Sequence, residues 1–406
     1  MDYALNECLE KMIDYRGKAP VKSDQGCVLI TARNVRKGFI DFSNIEYIPE
    51  ENYTDWMTKG IPKEGDILIT TEAPMGNLAM FPREGIKYAL AQRLIAMRPN
   101  PKIADGKYLM YYLLSDFGQR EIYQRQSGST ALGISQNQLR KIRVSLPSLY
   151  NQNKIAEILN CCDDSIAITE KLITAKRRLK QGLTQNLITG KLQFQEFAKS
   201  KSKQKIQIGR IPANWRIAKI GEIAREVSER LAPENTTVLS CTKYDGLVPS
   251  LEYFGRQVFG ENLDNYKIVK RDQFAYATNH IEEGSIGLLR DFEAGLVSPM
   301  YTVFRVDADI VEPEFLYSVL KTETYRRVFE SLTSASVNRR GSLRWNGFSK
   351  IVVPLPTILE QQKIVSVLKM ADSEIKLLST KLELLKTQKQ GLMQQLLTGK
   401  IRVQTP

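Results

Sequence analysis

Apolar side chains recur at alternating steps of four and three residues along two stretches of the chain. The first stretch sets Ile155, Leu159, Cys162, Ile166, Thr169, Ile173, Lys176, Lys180, Leu183 and Leu187 on one seam. The second sets Ile364, Leu368, Ala371, Ile375, Leu378, Leu382, Leu385, Lys389, Leu392 and Leu396 on another. A period of 3.5 residues sustained in this way predicts coiled-coil helices. Ile155, Leu159, Ile166, Leu183, Ile364, Leu368, Ile375, Leu382 and Leu392 are the residues expected to pair them. Cys162, Thr169, Lys176 and Lys180 weaken the first seam, so the first helix is expected to lean on the second. Each helix would run about 40 residues, or roughly 60 Å at 1.5 Å per residue. That is a spacer's length; ordinary globular helices run roughly 8–20 residues.

The two stretches are one text written twice. Residues 141–191 and 350–400 align without a gap at an offset of 209, with 20 of 51 positions identical. The identities include Gln152/Gln361, Lys154/Lys363, Asp163/Asp372, Gly182/Gly391 and the Thr-Gly-Lys endings at 189–191 and 398–400. The chain is therefore an internal duplication. Thr357 and Glu360 have the spacing of a capping box, and Ser148 with Asn151 is a poorer version. Gly190 and Gly399 suit the left-handed position that ends a helix. Gly182 and Gly391 fall inside the helices, where glycine costs about 1 kcal/mol relative to alanine. Close approach of the partner helix or of a docked subunit would explain them, as would early fraying.

Before each helix the pattern shortens to strand-like runs. Val28–Thr31, Asp66–Thr70 and Leu94–Arg98 alternate with turn signals at Lys37-Gly38 and Gly65, and a helix begins at Tyr108. Tyr111-Tyr112 on that helix suits the core better than a stacking platform. The second half follows the same script with little identity, through Val238–Ser240, Asp272–Ala277, Tyr301–Arg305 and Glu314–Tyr317. Lys199–Lys205 reads as a flexible charged connector. The boundaries that follow are a first head at 1–147, a helical region at 148–194, a linker at 195–210, a second head at 211–355 and a second helical region at 356–406. The shared scaffold with drifted heads suggests that each head reads a different target.

Composition adds a partner class. The net charge of +13 points towards nucleic acid. Its distribution tempers this: +3 over 1–147, +6 over 148–207, 0 over 208–355 and +4 over 356–406. The excess thus sits on the helical repeats and connector. Five cysteines without metal-ligand spacing argue for reduced thiols and a cytoplasmic location. No apolar run reaches the roughly 18 residues of a membrane span, and the opening residues do not read as a signal peptide.

Catalytic signatures fail together. A single histidine, His280, excludes His-based triads and zinc cages. Neither a phosphate-binding Gly-x-x-x-x-Gly-Lys-Ser/Thr nor a dinucleotide-binding Gly-x-Gly-x-x-Gly is present. The chain reads as non-catalytic, with no metal site and no cofactor of its own.

Val353-Pro354-Leu355-Pro356 through Glu360-Gln361-Gln362-Lys363-Ile364, with its repeat at Val144–Ile155, resembles the conserved helical regions of specificity subunits in type I restriction-modification systems. The endings at 181–191 and 390–400, and Ile211-Pro212-Ala213-Asn214-Trp215 opening the second half, are similar to that family too. Two departures stand out: Asn151-Gln152-Asn153 where Glu-Gln-Gln is usual, and no Pro-x-x-Trp opening the first head. The resemblance implies an α+β fold: two similar globular α/β target-recognition domains separated by two long antiparallel coiled-coil helices, with a pseudo-two-fold internal repeat. It implies a DNA reader in which each domain takes one half of a split site. The helices would dock two modification subunits carrying S-adenosylmethionine, and restriction subunits would join. Two heads so related should meet double-stranded DNA about one turn apart, roughly 34–36 Å between half-site centres.

Base readout needs paired donors or acceptors on loops. In the first head the candidates are Arg33, Asn34, Arg36, Lys37, Thr71, Glu72, Gln92, Arg93, Ser129 and Thr130. In the second they are Lys243, Tyr244, Asn279, His280, Ser336, Asn338, Arg339 and Arg340. Each taken singly fits a solvated surface residue better than a base contact, and His280 fits a partly buried, satisfied histidine as well; as loop sets they fit readout better. Two other functions fit the same text: a coiled-coil scaffold whose heads bind proteins, and an enzyme with an unfamiliar site. Steep salt dependence would favour DNA over the scaffold, and methylation by the isolated chain would favour the enzyme.

Overall fold

Two 40-residue helices, Leu149–Ile188 and Ile358–Leu397, run through the computed structural model. It describes residues 1–15, 19–82, 85–127, 132–198, 202–206, 209–230, 236–334 and 342–403. The chain forms two compact units, Met1–Lys171 with Ser379–Pro406, and Leu172–Leu378.

In the first unit the strands Leu9–Asp14, Leu94–Pro99, Ile67–Thr70 and Leu78–Met80 form an antiparallel sheet in that spatial order. Every residue of Ile67–Thr70 is buried, as a central strand covered on both faces requires. A second sheet sets Cys27–Ile30 between Glu46–Ile48 and Tyr88–Leu90, the latter pairing parallel. Helix Gly106–Leu114 lies against the first sheet and buries Tyr108, Tyr111 and Tyr112, so the tyrosine pair is core. Ile155, Ala156 and Leu159 from the start of the first long helix share that core with Leu396 and Leu397 from the end of the second. In this unit, therefore, the two helices run antiparallel.

The second unit repeats the plan. Strands Ala224–Val227, Tyr301–Val306, Phe274–Ala277 and Ile286–Leu288 take the same spatial order. Here the end of the first long helix, Leu187 and Ile188, meets the start of the second, Ile364, Val365 and Leu368, in one core with Trp215 and Phe348. In both units a short strand leading into a long helix pairs antiparallel with a strand near the start of its head: Arg143–Ser145 with Asp2–Ala4, and Val352–Leu355 with Arg216–Lys219. The residues before each helix are thus tied to the front of the head that precedes it.

The seam is uneven along its length. Its ends dissolve into the head cores, whereas Ile166, Leu183, Ile375, Leu382 and Leu392 are only partly covered, as in any two-helix contact. The seam lysines are paired across the two helices. Lys389 Nζ donates to Asp163 Oδ1 at 2.6 Å in the first unit, and Lys180 Nζ donates to its repeat equivalent Asp372 at 2.5 Å in the second. Lys176 pairs with Glu374 at 2.7 Å. The long aliphatic stems cover the seam while the ammonium groups reach carboxylates on the other helix.

Other expectations are revised. Gly182 and Gly391 have nothing within 4 Å of where a Cβ would stand, so close approach of the partner helix does not explain them. Thr357 Oγ1 accepts from the Glu360 N–H at 3.4 Å, but the Glu360 carboxylate turns inward rather than completing a capping box. The connector expected to be flexible includes the strand Lys203–Ile206, hydrogen-bonded to Gly209–Pro212. Gly190 and Gly399 do take left-handed φ values, 64° and 71°. At Gly190 a Cβ would also strike Pro212 at 2.3 Å.

Candidate nucleic-acid interface

Three chain segments meet at one end of the first head because of the strand directions. Cys27–Ile30 and Tyr88–Leu90 are parallel, so the segments that follow them, 31–41 and 91–93, emerge side by side; the Ala91 N–H donates to the Ile30 carbonyl at 2.9 Å. Ile67–Thr70 is antiparallel to the strand beginning at Leu94, which brings Thr71 and Glu72 to Gln92 and Arg93. The Thr71 N–H donates to the Arg93 carbonyl at 2.9 Å, and Arg93 Nε lies 3.3 Å from Glu72. Arg93 holds φ at 73°, a left-handed conformation costly for a side-chain-bearing residue and concentrated at functional loops.

Within this cluster the candidates divide. Arg33, Arg36 and Lys37 are exposed. Asn34 is buried instead, and its side chain is consumed locally: Oδ1 accepts from the Thr31 N–H and hydroxyl at 2.9 and 2.7 Å, and Nδ2 donates to the carbonyls of Asp41 and Asn44 at 2.9 and 3.0 Å. Asn34 shapes the loop rather than reaching out of it. Thr71 is also fully buried and so cannot present its hydroxyl to a ligand in this arrangement. Gln92 is half-buried. Ser129 and Thr130 lie outside the described residues.

In the second head a hairpin of Leu239–Thr242 and Gly246–Pro249 projects Lys243 and Tyr244, both exposed. Asn279 and His280 follow the central strand Phe274–Ala277, and His280 Nδ1 stands 3.6 Å from Glu283 in the exposed turn. The ligand atoms of His280, Glu282 and Glu283 lie within 4.8 Å of one another, an arrangement that exposed acidic groups commonly adopt without an ion. Ser336, Asn338, Arg339 and Arg340 lie outside the described residues.

Side chains that the sequence reading passed over hold these loops. Lys321 Nζ donates to the carbonyls of Lys243 and Gly284 at 2.6 and 2.9 Å, and burial pulls its ammonium below the usual lysine range. In the first head Gln119 Nε2 donates to the Gly76 carbonyl at 2.9 Å, Tyr123 to that of Met75 at 3.3 Å, and Asn77 Nδ2 to that of Val35 at 3.0 Å. All of these bonds end on backbone oxygens, a pattern no linear motif encodes.

The joint between head and long helix is the best-repeated site. Gln152 Oε1 accepts from the Asp105 N–H at 2.9 Å, and Nε2 donates to the carbonyls of Ile103 and Pro147 at 3.0 and 2.9 Å. Gln361 makes the same three bonds to Glu312, Ile310 and Pro356 at 2.9, 3.0 and 2.9 Å. Both side chains are completely buried. Each satisfies three backbone groups that would otherwise lie orphaned inside the protein.

The family model described as "Type I restriction modification DNA specificity domain" matches residues 21–175 and again 212–387. Two relatives from Methanocaldococcus jannaschii are similar along most of their length. The type I restriction enzyme MjaVIII specificity subunit is 25% identical over 361 residues, covering 84% of this chain and 80% of the relative. The putative MjaX specificity subunit is 27% identical over 386 residues, covering 90% and 85%. Among solved structures, the type I restriction-modification S subunit of M. genitalium superposes with a TM-score of 0.57 at 14% identity, covering 100% of this chain and 96% of the other. The HsdS subunit of Thermoanaerobacter tengcongensis gives 0.51 at 14%, covering 99% and 97%.

Proposed function

The chain belongs to the type I restriction-modification DNA specificity family and is a DNA-specificity subunit; within that role we propose that it reads a bipartite duplex site, one half-site per head, and docks two modification subunits. The observation that carries this reading is a scaffold that repeats beneath loops that do not. Gln152 and Gln361 anchor the helices identically, whereas the loops of one head carry Arg33, Arg36 and Lys37 and those of the other carry Lys243, Tyr244 and Asn279. Arginine, lysine and asparagine suit guanine edges, phosphates and adenine edges.

The helices also repeat outside the seam. Apolar side chains stand exposed at matching repeat positions: Tyr150 and Leu359, Cys161 and Met370, Ile168 and Leu377, Ala175 and Leu384. Met370 and Leu377 line an open groove of about 630 Å³. Two copies of one apolar strip suit two copies of one partner. On this reading the chain is non-catalytic and binds no cofactor. S-adenosylmethionine and methyl transfer belong to the modification subunits, and restriction subunits complete a cytoplasmic assembly. Among the described residues no helix is long and apolar enough to cross a membrane.

The test is an exchange of residues 1–147 for the head of another reader, followed by strand-resolved methylation mapping. Half of the recognised sequence should change and half should persist. The Gln152 bonds reach only backbone atoms of the head, so the exchanged head meets the same joint. A recognised sequence that stays whole, or changes throughout, would refute one half-site per head.

A further inference from the structure

Each head raises an aromatic ring into solvent on a braced loop tip, the most exposed ring of that head. In the first head the segment after Cys27–Ile30 turns at Arg36–Phe39, closed by the Arg36 N–H donating to the Phe39 carbonyl at 2.9 Å. The Gly38 N–H donates to the Leu78 carbonyl at 2.7 Å, with Gly38 at φ 96°, so the tip is fixed to the central sheet. Phe39 is 60% exposed, between Lys37 and the body of the loop. In the second head Tyr244 is 78% exposed at the tip of its hairpin. Lys321 holds the Lys243 carbonyl, and the Asp245 N–H donates to Thr242 Oγ1 at 3.0 Å. The Lys243 ammonium lies 5.2 Å from the centre of the Tyr244 ring.

A large ring exposed on a flexible tip would be unremarkable. These two are held up by hydrogen bonds to backbone, beside a lysine, in heads whose sequences have otherwise drifted apart. Bracing removes the ordering cost that a loose loop would meet on binding. The adjacent cations, Arg33 and Lys37 in one head and Lys243 in the other, select a polyanion over an apolar protein surface.

We propose that Phe39 and Tyr244 are stacking wedges: each tip inserts its ring at a base step of the duplex, partly unstacking it, while the neighbouring lysine takes a flanking phosphate. Apolar and aromatic side chains are used in this way to kink DNA, and flexible pyrimidine–purine steps yield most easily. The tips would then read deformability in addition to base edges. This rests on the loops being DNA readers, as proposed above.

The experiment uses the chain assembled with its modification subunits and duplexes carrying the mapped site. 2-Aminopurine is placed in turn at every position other than the methylated base. With the unaltered chain, fluorescence should rise at one step in each half-site. Phe39→Ala should abolish the rise in one half-site and Tyr244→Ala in the other, each weakening binding about tenfold while leaving the salt slope unchanged. Lys37→Ala should keep the fluorescence and reduce the salt slope by about 1. Phe39→Tyr should restore the signal. If the unaltered assembly binds its site and Phe39→Ala and Tyr244→Ala change neither fluorescence nor affinity, the wedges are overturned. If those variants instead weaken assembly with the modification subunit, the tips are protein contacts and the proposal is equally overturned. If the unaltered assembly shows no preference for its site, the reading of the loops as DNA readers fails first, and the wedges with it.

Discussion

Gln152 and Gln361 perform one task in two places; their immediate neighbours do not. At the preceding position the second copy carries Glu360, whose carboxylate accepts from the Trp215 indole N–H at 3.1 Å and from Gln193 at 3.0 Å. The first copy carries Asn151, and its Oδ1 is buried without a hydrogen-bond partner among the described residues. The difference lies in the partners: Glu360 meets the Trp215 indole, and Asn151 meets no such side chain among the described residues. Where three backbone groups depend on one side chain, nothing but glutamine serves, and both copies keep it. Where the partners are other side chains, the position differs between the copies.

The sharpest test of that contrast is to remove each glutamine. Gln152→Ala and Gln361→Ala each strand one N–H and two carbonyls, and should each cost roughly 3 kcal/mol or more in denaturant unfolding. Unequal losses would show that the two joints are not equivalent. Asp163→Asn should cost less, about 1–2 kcal/mol, because Asp163 accepts from both Lys389 and the buried Tyr111 hydroxyl. Asp372→Asn, whose pair with Lys180 is more exposed, should cost under about 1 kcal/mol in the same assay. Gly182→Ala and Gly391→Ala meet open space, so each should gain about 0.5–1 kcal/mol. A gain in stability accompanied by poorer assembly would point to a docked subunit at these glycines.

The smallest effect concerns Glu360. Burial raises its pKa above the ordinary glutamate value of 4.5, against the opposing hydrogen bonds from Gln193 and Trp215. The folded state therefore holds the proton more tightly than the unfolded chain. Its contribution to stability is fullest below pH 4.5 and is lost as pH rises through the raised value. Glu360→Gln should change stability at neutral pH by no more than about 1 kcal/mol and remove that acid-range slope, read as melting temperature against pH.

The fold was legible where period and repetition spoke together. Both long helices, their glycine ends and the matched heads follow from spacing alone. Less legible was anything decided by which backbone oxygen a side chain finds. Asn34 looks like an ideal adenine reader in the sequence, yet its four hydrogen bonds close its own loop. Lys321 and Gln119 carry no motif in the sequence, although they brace the loops beside the candidate contacts. Lys180 and Lys389 look like faults in an apolar seam because the period registers hydrophobicity and cannot see the carboxylate opposite. Phe39 escaped notice because polarity guided the choice of readers, and only solvent exposure marks it out.

One consequence lies in the way the first unit is closed. Its core is completed by Leu392, Met393, Leu396 and Leu397, supplied more than two hundred residues after its own long helix begins. The second unit, by contrast, is drawn from an uninterrupted run, Leu172–Leu378. A ribosome moving along the message thus delivers every part of the later half while the earlier half still waits for its keystone. What is translated first is finished last.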